Sequence, residues 1–122
     1  DSVSENKDLS LVNDVFINPL SNVTISEIIG VILRQEITAR VLHIGSRDRM
    51  SKAEIANIFI QKFPNYTGVT NEISADELGG PKRPKEMWLN TRQTEEVLNM
   101  EMPDLLSEIE KISNFTGVSA LL

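Results

Sequence analysis

Lys82-Arg83-Pro84-Lys85-Glu86-Met87-Trp88-Leu89-Asn90 is the stretch on which the reading of this chain turns. It begins as a basic loop whose shape is set by a proline. It continues as the extended run Met87-Trp88-Leu89 and ends at a helix start, where Asn90 with Gln93 can cap a short helix to Leu98 or Asn99. Gly79-Gly80-Pro81, just before it, is a loop. A strand-turn-helix unit lies a fixed distance upstream. In it Arg40 to Ile44 reads as a buried strand closed by Gly45-Ser46, and Ser51-Lys52-Ala53-Glu54 is a capping box.

Working outward, Leu9 to Ile17 is rich in Val, Leu, Ile and Phe and reads as a short strand or extended segment, broken by Asn18-Pro19. Thr24-Ile25-Ser26-Glu27 is a further capping box. It predicts a helix to about Gln35 with Ile25, Ile28, Ile29, Ile32 and Leu33 on one face and Gly30 free to permit a close helix contact. The helix opened by Ser51 carries Ile55, Ile58, Phe59 and Phe63 at helical spacing and is stopped by Pro64-Asn65 and Gly68. Val69 to Ser74 is a short strand, and Ser74-Ala75-Asp76-Glu77 caps a single turn. Met102-Pro103-Asp104 opens the last helix, whose stripe is Leu105, Leu106, Ile109 and Ile112, extending to Phe115, and whose stop is Gly117. The order is strand, helix, strand, helix, strand, loop, helix, helix. It divides the chain into a frayed start (1–8), one α/β domain (9–115) and a tail (116–122).

Composition narrows the function classes. A net charge of -6 over 122 residues argues against a nucleic-acid module, which needs a basic face to replace counterions. It leaves room for one small anion at a local basic cluster. There is no cysteine, so disulfide and thiolate-metal frameworks are excluded. The single histidine, His43, sits in an apolar run with no second imidazole, and no carboxylate stands at ligand spacing, so no metal site is expected. No apolar run approaches a membrane span, and a cytoplasmic protein is the default.

In their order and spacing these pieces resemble the C-terminal, substrate-binding part of the dTDP-4-dehydrorhamnose reductase family of extended short-chain dehydrogenases. Asp14-Val15-Phe16-Ile17-Asn18-Pro19-Leu20 resembles the segment where such a reductase turns from its nucleotide half into its substrate half. Val41 to Ser46 is similar to the family's strand ending in a Gly-Ser turn. Ser51, Glu54 and Ala56 match its next helix. Arg83-Pro84, followed after four residues by Leu89-Asn90, matches its Arg-Pro signature, with Asn for the commoner Asp. Met102-Pro103 through Ile109 resembles its closing helix. The likeness covers roughly residues 9 to 113.

The resemblance implies a small mixed α/β substrate-binding portion that normally packs on an N-terminal Rossmann domain, with the helix after Thr24 facing that domain. It implies a parent enzyme that passes hydride from NADP(H) to the 4-keto group of a dTDP-4-keto-6-deoxysugar. The family's chemistry also needs a Gly-rich dinucleotide turn and a Tyr-x-x-x-Lys pair. Neither occurs here: Gly79-Gly80 precedes a proline, and Tyr66 is followed by Thr67-Gly68-Val69-Thr70. The expectation is therefore a chain with no catalytic residue, inactive alone, binding no cofactor itself. Its Rossmann partner would come in cis or in trans. A homodimer is a further possible assembly.

Arg83, Lys82, Lys85 and Trp88 are the candidate substrate-binding residues. Three cations in four residues on an acidic chain can clamp a diphosphate, and an arginine fork can meet phosphate oxygens in pairs. Arg83 is the position the resemblance favours. The alternative is a solvated loop shaped by Pro84. Trp88 can stack on a base or sugar, or pack the loop on the core. Ser46-Arg47-Asp48-Arg49 can be an anion site at a helix entry or a plain capped turn. Glu95-Glu96 and Glu108-Glu110 read as solvated helix faces. Two other readings stand beside the reductase one. The first is a non-catalytic reductase-like binding or regulatory module acting through a protein partner, as in the regulatory subunit of methionine adenosyltransferase. The second is a free-standing small domain whose exposed helix faces require a dimer.

Overall fold

The computed structural model describes residues 6–38 and 41–115. Arg40 of the expected strand, the stop at Gly117, the tail 116–122 and most of the expected frayed start lie outside the described residues. The elements are β1 (Leu9–Val12), β2 (Phe16–Ile17), α1 (Asn22–Arg34), β3 (Met50–Ser51), α2 (Lys52–Ile60), β4 (Thr70–Ile73), one 3-10 turn (Ala75–Glu77), α3 (Arg92–Leu98) and α4 (Leu105–Phe115). β1 pairs in parallel with β4, Leu9 opposite Thr70, and β2 pairs antiparallel with β3, Phe16 opposite Ser51. The small mixed α/β architecture expected from the element pattern is the one observed.

Two packed regions result. In the first, α1, α3 and the approach to α4 bury Ile28, Leu98 and Met102, with Leu42 and Ile44 packed against them and Leu105 and Ile109 buried nearby. Each such side chain contributes about 2 kcal/mol of transfer free energy. In the second, α2 lies on β1 and buries Ala53, Leu11 and Val15.

α1 and α3 end alike. The amide of Glu36 (φ 51°) reaches Leu33 O and that of Ile37 reaches Ile32 O, while Asn99 (φ 53°) and Met100 reach Glu96 O and Glu95 O. This is the paired closing pattern that usually takes glycine. The residue after each left-handed turn, Ile37 or Met100, packs on the Ile28 core. That contact offsets a left-handed conformation costing about 1 kcal/mol for a non-glycine residue.

Several expectations change. α1 begins three residues early. Its cap is Ser21, whose hydroxyl accepts from the Thr24 amide at 3.1 Å, so Thr24 is inside the helix. Its core face is Thr24, Ile28, Val31 and Ile32, whereas Ile25, Ile29 and Leu33 are 39%, 48% and 72% exposed. Gly30 makes no close helix contact among the described residues; an added Cβ would meet only the flexible end of Arg34. Val41 to Ile44 forms no strand. Leu42 and Ile44 turn inward and Val41 and His43 outward, as in a strand, but the described residues offer no ladder partner. The Thr94 hydroxyl bonds the His43 carbonyl instead, at 2.6 Å. α2 ends at Ile60, before the Pro64-Asn65 stop. α3 is capped at Thr91, which makes no side-chain cap bond; the expected cap residue Asn90 lies one position outside, its carboxamide accepting from the Arg92 amide at 3.0 Å.

Candidate functional site

Every residue of the basic loop from 81 to 90 is exposed, so its shape must come from a few anchors rather than from burial. Phe16 exchanges backbone bonds with Lys85 and Met87 at 2.8 and 2.9 Å, which adds one bridge to β2. The Lys85 ammonium lies 2.9 Å from carboxylate oxygens of both Asp14 and Asp76. Asp14 in turn accepts from the Ser74 hydroxyl at 2.5 Å and the Ala75 amide at 2.8 Å. The Ser74 bond, then the Ala75 amide, then Lys85 hold the Asp14 carboxyl well below the usual carboxylate range. The bond to Asp76, then that to Asp14, raise Lys85 above the ordinary lysine value.

The loop's far end is fixed by Asn18. Its carboxamide donates to Ser46 O (3.0 Å) and Leu89 O (2.8 Å) and accepts from the Leu89 amide (2.9 Å). Gly45 is required here, because a Cβ would lie 2.7 Å from that carboxamide nitrogen.

A cleft of about 330 Å³ opens beside this loop. Val12, Val15, Leu78 and Met87 give it apolar walls; among the described residues Lys52 and Arg83 are its cations and no carboxylate lines it. A smaller hollow of about 150 Å³ adjoins it, with Lys82, Arg83 and Asp76 in its wall. The volume of the larger cleft is within the range of small-ligand sites.

The sequence-predicted residues divide. Arg83 lines both spaces and Lys82 the smaller one. Lys85 lines neither and is engaged by two aspartates. Trp88 lines neither as well; it is 42% exposed, donates from Nε1 to Glu86 at 2.7 Å, and lies 5.4 Å beneath the Arg49 guanidinium. Arg49 also pairs with Glu86 and covers Phe16 at 4.6 Å. Arg47 bonds Glu101 and Asp104, both at 3.3 Å, and Asp48 accepts from the Leu105 amide at 2.8 Å. The Ser46–Arg49 turn thus has both guanidinium groups occupied by carboxylates and serves as a strut onto α4.

Sequence reasoning missed Lys52 and misplaced Glu108. Lys52 was visible only as a cap-adjacent residue. The available signal was its sign: the first helical turn favours acids, and a lysine there opposes the helix dipole by a few tenths of a kcal/mol, roughly. Glu108 is 2% exposed, not solvated. It accepts from the Ser21 amide (2.9 Å), the Ser21 hydroxyl (3.2 Å) and the Thr24 hydroxyl (2.8 Å), with Lys111 at 3.7 Å. Glu95 is also partly withdrawn, accepting from the Met102 amide at 3.0 Å and the Thr91 hydroxyl at 3.2 Å. Glu108 ties α4 to the start of α1, Glu95 ties α3 to the segment before α4, and neither lines the cleft.

The start of α2 is already closed by the Ser51–Glu54 box at 3.0 and 3.1 Å, which leaves no open, glycine-lined amide cradle for a pyrophosphate. Tyr66 bonds the Lys7 carbonyl at 2.7 Å, and desolvation, then Asp8, push its hydroxyl above the ordinary value, away from the lowered pKa a proton donor beside lysine needs. Among the described residues no helix is long and apolar enough to cross a membrane.

Comparison with known proteins follows the same lines. The family model described as the RmlD substrate binding domain matches residues 1–115. The structure of dTDP-4-dehydrorhamnose reductase from Bacillus anthracis str. Ames, in complex with NADP, superposes with a TM-score of 0.76 at 19% identity, over 90% of this chain and 39% of that one. A hypothetical dTDP-4-dehydrorhamnose reductase from Sulfolobus tokodaii gives 0.66 at 24% identity, over 85% of this chain and 37% of that one. The chain thus spans well under half the length of these structures. No curated protein sequence matches it.

Proposed function

The chain belongs to the RmlD substrate binding domain family, and on that footing we propose that it is the nucleotide-sugar-binding portion of an NAD(P)H-dependent reductase acting on the 4-keto group of a dTDP-4-keto-6-deoxysugar. The observation that carries this reading is Arg83 in the wall of an apolar cleft that no carboxylate among the described residues lines, on a chain of net charge -6. A guanidinium there can bond a diphosphate through two parallel donors. Lys82 adds charge from the adjoining hollow. Lys85 acts by fixing the loop that carries them, and Trp88 borders it as the stacked partner of Arg49. Hydride transfer falls to a Rossmann domain, in cis or in trans, which brings NADP(H). The exposed Ile25, Ile29 and Leu33, spaced four apart on α1, offer that domain an apolar face. No observation favours the partner-acting regulatory module.

The test is steady-state NADPH oxidation by the complete protein with a dTDP-4-keto-6-deoxysugar. Arg83→Gln should raise KM about tenfold with kcat little changed, the mark of lost ground-state binding. Unchanged kinetics would remove Arg83 from the site. No reduction by the unaltered protein, with its nucleotide domain present, would overturn the reading.

A further inference from the structure

We propose that Lys52 is a second anion-gripping residue of this cleft, holding the ligand's diphosphate together with Arg83 from a different wall. The proposal rests on the reductase reading for the ligand's identity, but its evidence is separate. Lys52 comes from the first residue of α2 and Arg83 from the loop after the 3-10 turn, and both line the 330 Å³ cleft.

Three features single Lys52 out. The first is its lack of a partner. Arg47, Arg49, Lys62, Lys85 and Lys111 each pair with a carboxylate. Lys52 and Arg83, like Arg34, Lys82 and Arg92, pair with none among the described residues, but only Lys52 and Arg83 of these line this cleft, where no described residue is an acid that would compete for them. The second is its position. A lysine at the first turn of a nine-residue helix adds its charge to the positive end of the dipole, which works against stability and in favour of an anion. The third is the wall. Val12, Val15, Leu78 and Met87 wall the cleft beside the two charges, and such low-dielectric walls focus a like-signed field. Two cations reached from separate elements suit a ligand with charge on two adjacent groups. The chemical class is a nucleoside diphosphate, free or sugar-linked, rather than a monophosphate or a neutral nucleoside.

The experiment measures dissociation constants of dTDP, dTMP and thymidine for the complete protein and for Lys52→Gln, Lys52→Arg and Arg83→Gln. Lys52 is exposed and opposes the helix dipole, so its substitution should not lower the melting temperature. Lys52→Gln should weaken dTDP about tenfold and dTMP much less, shrinking the preference for the diphosphate, and Lys52→Arg should restore it. Wild-type affinity and preference in Lys52→Gln, with dTDP weakened in Arg83→Gln, would overturn the role of Lys52 and leave the proposed function standing. No dTDP binding by the unaltered protein would overturn both.

Discussion

Two carboxylates in this molecule have nearly the same neighbours and opposite settings. Glu108, in the helical region, gathers the amide and hydroxyl of Ser21, the hydroxyl of Thr24 and the ammonium of Lys111. Asp14, at the edge of the cleft, gathers the hydroxyl of Ser74, the amide of Ala75 and the ammonium of Lys85. The Glu108 side chain is 2% exposed and the Asp14 side chain 26%, with its partners Lys85 and Asp76 at 44% and 62%. A buried charge stripped of its partners has no water to turn to; an exposed one does. The first cluster therefore holds the helices α1 and α4 together, and the second holds only the shape of a solvated loop. The difference places rigidity in the helical region and adaptability beside the cleft.

The largest expected effect breaks the first cluster. Glu108→Ala leaves the Ser21 amide and the Thr24 hydroxyl without their acceptor, while the Ser21 hydroxyl keeps Thr24 Oγ1 at 3.0 Å, and should cost about 3 kcal/mol of stability in a denaturant titration. A loss near zero would show that the two clusters are energetically alike.

The smaller effect concerns the second cluster and its pH window. The folded pKa of Asp14 is below the ordinary 3.8, so its contribution is whole above that value and is lost as pH falls through the lowered one. The folded pKa of Lys85 is above the ordinary 10.5, so its contribution is whole below that value and is lost as pH rises through the raised one. Amide exchange across residues 79–88, corrected for intrinsic rates, should therefore be level between about pH 5 and pH 9. Asp14→Asn should speed that exchange at neutral pH and lower the melting temperature less than Glu108→Ala does. A loop indifferent to Asp14→Asn would mean that the bridge to Phe16 alone sets its shape.

What the sequence disclosed follows from how local each determinant is. The boxes at Ser51 and Ser74 were legible because donor and acceptor sit three residues apart, and both form. The start of α1 was not. Ser21 and Thr24 both suit a cap, and the choice is made by Glu108, 87 residues from Ser21 in sequence, which accepts from the Ser21 amide and also occupies the Thr24 hydroxyl. The inward and outward alternation of Val41 to Ile44 was legible. Whether a neighbouring strand would accept it into a sheet was not, since that depends on a partner and not on the segment. At the site, Arg83 was found through its proline-bounded basic cluster. Lys52 was hidden because a lysine inside a capping box reads as surface filling until the fold brings it to the same cleft.

Hydrogen exchange with and without saturating dTDP tests the central claim most directly, because it asks which region the ligand touches. The account predicts added protection across residues 79–88 and the first turn of α2, with α1, α3 and α4 unchanged. Protection confined to the helical region, or none at a dTDP concentration that saturates binding, would contradict it.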